Sequence, residues 1–401
     1  MATGMKTFAI LAGVAAAICP VSVIAQTVVK VGLINTYSGP EAQAGDMIDK
    51  GIKLYIKEHE KDLPAGVKVE LVVRDDTGPN PEVAKRLAQE LITREHVQFL
   101  TGVVWTPNAA AIAPLTAEAK VPFVIMNAAG VSLTRMSPYV VRVSYTLPQL
   151  VTPLGTWAAQ QGWKKGYTAV PDFGPGQESE TAFIKAFTDA GGQMLGSVRY
   201  PVINPDFAPF FARIKDVNPD VLYVFCIAGK QSTAIMKTMA DLGMRTAGVH
   251  PVSGVDLTTD EELPNMGDIA VGVNSAANYS AAGVRPQNAA FVAAWKRDYG
   301  PSSHPNFMAA DAWDGMAAIF AAIKAQKGKI DPDQTMKVLK GWKNPDSPRG
   351  PIEIDAETGD IVQNIYIRKV ERQGDHLANV EFATIEEQVK DPWKILNPPK
   401  K

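Results

Sequence analysis

Long apolar runs are scarce in this chain. Past residue 25 no stretch approaches the roughly 20 consecutive apolar residues that a spanning helix needs, so no span is expected there. Cysteine is nearly absent, with two in 401 residues, Cys19 and Cys226. With Cys19 in a leader, one thiol remains and an internal disulfide is excluded; in the apolar run 221–227 Cys226 reads as a small filler of a buried strand. The five histidines, at 59, 96, 250, 304 and 376, show no metal-ligand spacing, and neither a metal nor a cofactor is expected. Excess charge is also missing. Removal of a leader would take Lys6 alone from the 40 basic residues, leaving 39 against 42 acidic, which argues against a nucleic-acid partner.

Catalytic signatures are equally absent: there is no GxGxxG, no GxxxxGK[ST] and no GxSxG. Asp75 and Asp76 are neighbours at a strand end, where successive side chains point to opposite faces, so they read as turn formers rather than an acid–base pair. Binding is therefore expected ahead of catalysis.

What is present begins with a leader. Lys6, an apolar run over 8–18 and the sequence VIA at 23–25 before Gln26 read as a secretory signal peptide, residues 1–25. Ile18 is bulky where a lipid-anchoring motif wants a small residue, so simple cleavage is favoured over an anchor at Cys19. The mature protein is expected to be soluble and periplasmic. About 375 residues suffice for two lobes stabilised by core burial.

The chain is organised around residues 97–130. An apolar run over 97–104 reads as a strand and stops at a turn, where Thr106 suits a helix N-cap and Pro107 the first helical position. The helix ends at 119–122, and a buried-type strand over 123–126 gives way to the small residues Asn127, Ala128, Ala129 and Gly130, whose amides a ligand can approach. Free amides at a helix start, with the positive end of its dipole, favour a carboxylate. Ligands of parallel α/β sheets bind at the carboxyl ends of the strands. The bland alternative is a good cap beside a tight turn.

Strand–helix units over 28–56 and 67–94 precede this one, so the first third reads as a parallel βαβαβα sheet. A segment over 139–144 and a helix over 147–161 lead to a second series. Its strands fall at 166–170, 194–200, 221–227 and 248–252, and its helices at 177–190, 207–217 and 231–242. Apolar alternation resumes at 269–273, followed by helices around 288–299 and 309–327. The expected fold is α/β, two Rossmann-like lobes with several hinge crossings and a ligand cleft between them. Residues 26–145 with 275–348 would form one lobe and 146–274 with 349–401 the other.

Residues 31–40 (VGLINTYSGP), Gly45, Asp46, 74–77 (RDDT), 127–129 (NAA), 172–176 (DFGPG) and 310–315 (ADAWDG) follow one another in an order and spacing that resembles the type I periplasmic solute-binding proteins of ABC importers, the leucine/isoleucine/valine-binding family. Members that bind aromatic acids such as hydroxybenzoates are more similar still, through 106–109 (TPNA), 119–122 (AKVP), 173–176 (FGPG, where those members have Tyr-Gly-Pro-Gly) and 347–350 (SPRG). The resemblance implies that Thr106 holds a ligand carboxylate with the amides of Ala128 and Ala129, and that Phe173 caps the ligand from the second lobe. It also puts Asp256 near the acid that pairs with an ammonium in amino-acid binders. Gly130 stands where many relatives carry Thr or Ser, and Ala44 where they often carry an aromatic wall, so the pocket is expected to be wider there.

Trp105 reads either as a ring-stacking surface or as a core-filling indole, Asn108 as a partner of a ring hydroxyl or as part of the first helical turn, and Asp172 as a functional acid or a turn former. The expected function is capture of a small carboxylate, an aromatic acid ahead of a branched-chain amino acid, by a monomer that delivers it to a membrane ABC permease. A ligand-binding sensor is the reading from another class.

Overall fold

The structure, a computed structural model, describes residues 1–2, 26–39 and 41–397. The signal-peptide residues lie outside the described ones, apart from the first two. Among the described residues no helix is long and apolar enough to cross a membrane.

The chain opens with β1 (Thr27–Asn35), α1 (Ala42–His59), β2 (Val67–Asp75), α2 (Pro81–Thr93), β3 (Phe99–Gly102), α3 (Thr106–Ala119), β4 (Phe123–Ile125) and β5 (Val140–Arg142). These strands form one parallel sheet in the order β2-β1-β3-β4-β5. β3 and β4 are buried along their whole length, as strands covered by helices on both faces must be. The carboxyl ends of β1, β3 and β4 come together, because β1 is flanked by β2 and β3 in parallel register.

The chain then crosses near 143–146 and continues with α4 (Leu147–Gln160), β6 (Lys165–Pro171), α5 (Gly174–Asp189), β7 (Gln193–Tyr200), α6 (Ala208–Val217), β8 (Val221–Val224), α7 (Lys230–Asp241), β9 (His250–Ser253), α8 (Leu263–Met266) and β10 (Asn274–Ala277). It returns to the first sheet for α9 (Pro286–Tyr299), α10 (Phe307–Ala325) and α11 (Pro332–Leu339). The rest is β11 (Lys343–Asn344), β12 (Ile352–Ile354), β13 (Ile361–Gln373), β14 (His376–Val389) and α12 (Pro392–Leu396).

The second sheet runs β11-β12-β13-β10-β9-β8-β6-β7, with β14 paired to β13. It is parallel from β7 to β10 and antiparallel beyond, so the second half is not a copy of the first.

α10 shows how the first half is sealed. Buried side chains occur all round it, from Phe307 to Ile323, as expected of a helix enclosed on every side. α1 lies against it so closely that a Cβ on Gly51 would sit 2.4 Å from the Ala309 carbonyl oxygen. Glycine is required there by approach, not by turn geometry.

Three local expectations are corrected. Thr106 is the first residue of α3 and Trp105 the N-cap, with no side-chain cap, because an indole has no acceptor to offer; the Thr106 hydroxyl instead accepts from the Gly130 N–H. The run over 269–273 is not a strand: it holds the end of a short 3-10 turn, Gly267–Ala270, and a following turn, and the strand comes after it as β10. The run over 97–104 yields only a four-residue strand, since Val103 adopts φ of 63°, a left-handed value that a β-branched residue rarely takes. Val103 is held there by its N–H donating to the Ile34 carbonyl (2.8 Å) and Asn35 Oδ1 (3.0 Å), and the bend turns Trp105 and Thr106 toward the second sheet.

Candidate functional site

A cavity of about 60 Å³ opens where the carboxyl ends of the first sheet meet the second. Glu41, Ala44, Trp105, Thr106, Asn127 and Ala129 line it from the first sheet, and Phe173, Pro175, Asp256 and residues 225–228 from the second. Tyr145 and Leu147 on the crossing segment and Met308 on α10 complete it. A larger depression of about 700 Å³, between α4, α5 and α12, shares no residue with it. Several of its polar side chains, Gln177, Thr181, Lys185 and Asp189, are exposed, whereas the smaller cavity lies at the carboxyl ends of the strands and is lined from both sheets, and it is the better site.

Thr106 and Ala129 form its donor edge. Thr106 Oγ1 accepts from the Gly130 N–H at 3.1 Å, which leaves the hydroxyl proton free to donate. The Ala129 N–H has no hydrogen-bond partner among the described residues. Both lie at the amino end of the 14-residue α3, where the dipole is positive.

Ala128 does not share this arrangement. Its N–H donates to the Val103 carbonyl at 3.1 Å, and its side chain is buried outside the cavity, so its amide is already committed. The carbonyls of Ala128 and Gly130 accept from Arg142 Nη1 at 3.0 and 2.9 Å, while Arg142 Nε pairs with Asp360 at 2.8 Å. A fully buried arginine thus fixes the loop that carries the Ala129 amide. Gly130 itself is behind the cavity wall: a Cβ there would meet Thr106 Cγ2 at 2.4 Å.

Trp105 lines the cavity with its ring while its Nε1–H donates to Thr36 Oγ1 at 3.0 Å. Thr36 in turn donates to Asp76 at 2.7 Å, and Asn108 Nδ2 donates to Asp76 (2.8 Å) and to the Gly78 carbonyl (2.9 Å). Asn108 is therefore buried in the support of the tryptophan, away from the cavity. Asp76, read from the sequence as a turn former, is the node of this support; burial raises its carboxyl pKa against the Thr36 and Asn108 hydrogen bonds. Asp75 does form the turn, accepting from the Tyr37 and Thr77 N–H groups.

From the second sheet, Phe173 presents its ring beside Phe225, with ring centroids 6.2 Å apart and planes 11° from parallel. Asp172 lies outside, its carboxylate exposed and accepting from Gln177 Nε2 at 3.2 Å. Asp256 is enclosed, 6% exposed, and its Oδ2 lacks a hydrogen-bond partner among the described residues. Burial pushes its carboxyl up to about 8, with the Arg368 charge pulling the other way. Burial and the nearby Asp256 likewise raise the Tyr145 hydroxyl and the Cys226 thiol.

No Lys, Arg or His is among the described residues that line the cavity, so an anion entering it would be held by neutral donors. Tyr145, Phe225 and Glu41 were not singled out in the sequence. For Phe225 the signal existed, since it follows the carboxyl end of a parallel strand; Tyr145 sits on a crossing segment that carries no motif. Cys226 also lines the cavity while being fully buried.

Comparison with known proteins identifies the family and the fold. The periplasmic binding protein family model matches residues 28–375. A Leu/Ile/Val-binding protein homolog 6 of Brucella melitensis biotype 1 is 39% identical over 364 residues, 90% of this chain and 92% of that protein. A solved solute-binding protein of an ABC transporter from Rhodopseudomonas palustris BisB5, in complex with 3,4-dihydroxybenzoic acid, is 45% identical with a TM-score of 0.87, covering 92% of this chain and 99% of that one. A second, from Rhodopseudomonas palustris HaA2 in complex with p-hydroxybenzoic acid, is 41% identical with a TM-score of 0.88, covering 91% and 99%.

Proposed function

This chain belongs to the periplasmic binding protein family, and from that premise we propose that it is the solute-binding component of an ABC transporter, carrying a small aromatic carboxylate to its permease. The observation that supports this most directly is the pair of uncommitted donors, Thr106 Oγ1 and the Ala129 N–H, beside the positive end of α3. Two donors side by side suit the two oxygens of a carboxylate. The Trp105, Phe173 and Phe225 rings line the same cavity and suit an aromatic body, and the solved relatives hold hydroxybenzoates. A branched-chain amino acid is the second reading, supported by the Leu/Ile/Val-binding relatives.

Capture rests on closure. A ligand in this cavity touches both sheets only when they meet, so it favours the closed arrangement by differential contact. The Val131 N–H, just past the donor edge, donates to Glu178 Oε2 on α5 at 3.2 Å, a link made across the same boundary. A periplasmic location accords with the family, and the leader read at residues 1–25 would carry the chain there.

A thermal-shift screen of benzoate, hydroxybenzoates and leucine-like amino acids tests the cargo, since a ligand bound only by the folded state raises the melting point. Hydroxybenzoates are expected to shift it; a shift with leucine-like compounds alone would reject the aromatic reading. Thr106→Ala should weaken the carboxylate by ~1–3 kcal/mol in calorimetry, the range for a hydrogen bond to a charged group. Unchanged affinity in that variant would remove Thr106 from the site.

A further inference from the structure

The donor edge leaves the other side of the cavity unexplained. There Asp256, just beyond the carboxyl end of β9, projects into a space it shares with Tyr145. An unpaired buried carboxyl is costly, and buried polar groups without partners are uncommon in native folds. Arg368 is the basic group acting on Asp256, yet its own hydrogen bonds go to Ser275 Oγ and the Tyr279 carbonyl. Asp256 Oδ2 is thus left without a hydrogen-bond partner among the described residues. Glu41, the other acid on the wall, is only half-buried and so remains reachable by water.

We infer that Asp256 is a specificity residue of this pocket: its free carboxyl oxygen reads a hydroxyl group on the aromatic ring of a ligand whose carboxylate lies on the Thr106–Ala129 edge. This rests on the aromatic-acid reading and goes beyond it, because it assigns the ring substituent to one side chain. The two poles come from opposite sheets, so a ligand carrying a group at each end links them, whereas plain benzoate leaves the second pole unmatched. Enclosure keeps the carboxyl protonated at neutral pH. It can then donate to a phenol oxygen as well as accept from a phenol proton, and it gains nothing from an ammonium that a carboxylate would gain. Rejection is the stronger half of the effect, since a site built for a hydroxyl group leaves a polar group unpaired when the hydroxyl is missing.

The test is calorimetric binding of three ligands, 4-hydroxybenzoate, 4-methylbenzoate and benzoate, to the full chain and to Asp256→Leu and Asp256→Asn. In the wild type, 4-hydroxybenzoate should bind at least tenfold tighter than 4-methylbenzoate, which has the same outline without the hydroxyl. Asp256→Leu should bring that ratio close to one, chiefly by raising the affinity for 4-methylbenzoate, and Asp256→Asn, which keeps a donor and an acceptor, should retain most of the ratio. A wild-type ratio near one overturns the inference without any variant, and so does an Asp256→Leu protein that keeps the ratio. Either result leaves the aromatic-acid reading intact if both acids bind tightly. If none of the three acids binds, that reading falls and the inference falls with it.

Discussion

At the scale of the residue, the pocket works with groups whose charge is suppressed. Asp256 illustrates the consequence for stability. Its folded carboxyl is raised to about 8 by burial, whereas in the unfolded chain it titrates near ~3.9. Between those values the folded state holds a proton that the unfolded state has released. The stability tied to this group is complete below pH ~4 and is lost as pH rises toward 8. Arg368 opposes the shift, and Tyr145, Tyr200, Tyr223 and Cys226 feel the Asp256 charge without relieving it. Asp256→Asn has no proton to lose. Its ligand-free unfolding free energy should therefore gain on the wild type between pH 5 and 8, by at most ~1.4 kcal/mol per pH unit, and level off above. Urea titrations at several pH values check this, and parallel curves would mean that Asp256 is ionised throughout.

At the scale of the element, the donor edge is a product of one bent strand end and one pinned loop. Val103 in a left-handed conformation sends the chain toward the cavity, and Arg142 grips the carbonyls of Ala128 and Gly130 from behind. Gly130 has no room for a side chain because Thr106 stands where one would go. Gly130→Ala should displace Thr106 by rotation or by a shift of the loop, lowering ligand affinity by roughly tenfold while costing ~1–3 kcal/mol of stability, the range for overpacking. An affinity equal to that of the wild type would show that the loop yields without moving the donors.

At the scale of the whole molecule, the crossings are tied together by Arg349. Its guanidinium donates to Asp311 (2.6 Å) and Asp314 (2.8 Å) on α10, to Gln363 on β13 (2.7 Å) and to the carbonyls of Val143 (2.5 Å) and Ser144 (3.3 Å) on the first crossing. Asn278, on the second crossing, donates to the same Asp311 at 2.9 Å. Both carboxylates and the arginine are fully buried. Arg349→Met would leave two enclosed acids without their cation and should destabilise the fold by ~3–5 kcal/mol, the cost of breaking a buried pair. A loss below ~1 kcal/mol in denaturant unfolding would mean that the acids take up protons at little cost.

Much of the fold was legible in the sequence. Alternating apolar strands and amphipathic helices repeat through both halves, and their βα order dictates parallel sheets with ligands at the strand ends. The antiparallel β13–β14 hairpin escaped notice, since its hydrogen bonding joins segments whose sequence carries many charges, such as residues 368–373. Of the site, Trp105, Thr106, Ala129, Phe173 and Asp256 fall on one cavity, while Asn108, Ala128, Gly130 and Asp172 fall beside or behind it. The local pattern determined which loops reach the strand ends, because periodicity and turn chemistry act between near neighbours. Only the tertiary structure decided which amides stay free and which side chains face inward, because a hydrogen bond such as Ala128 to Val103 or Gly130 to Thr106 joins residues some 25 positions apart and consumes the group that local reading had left open.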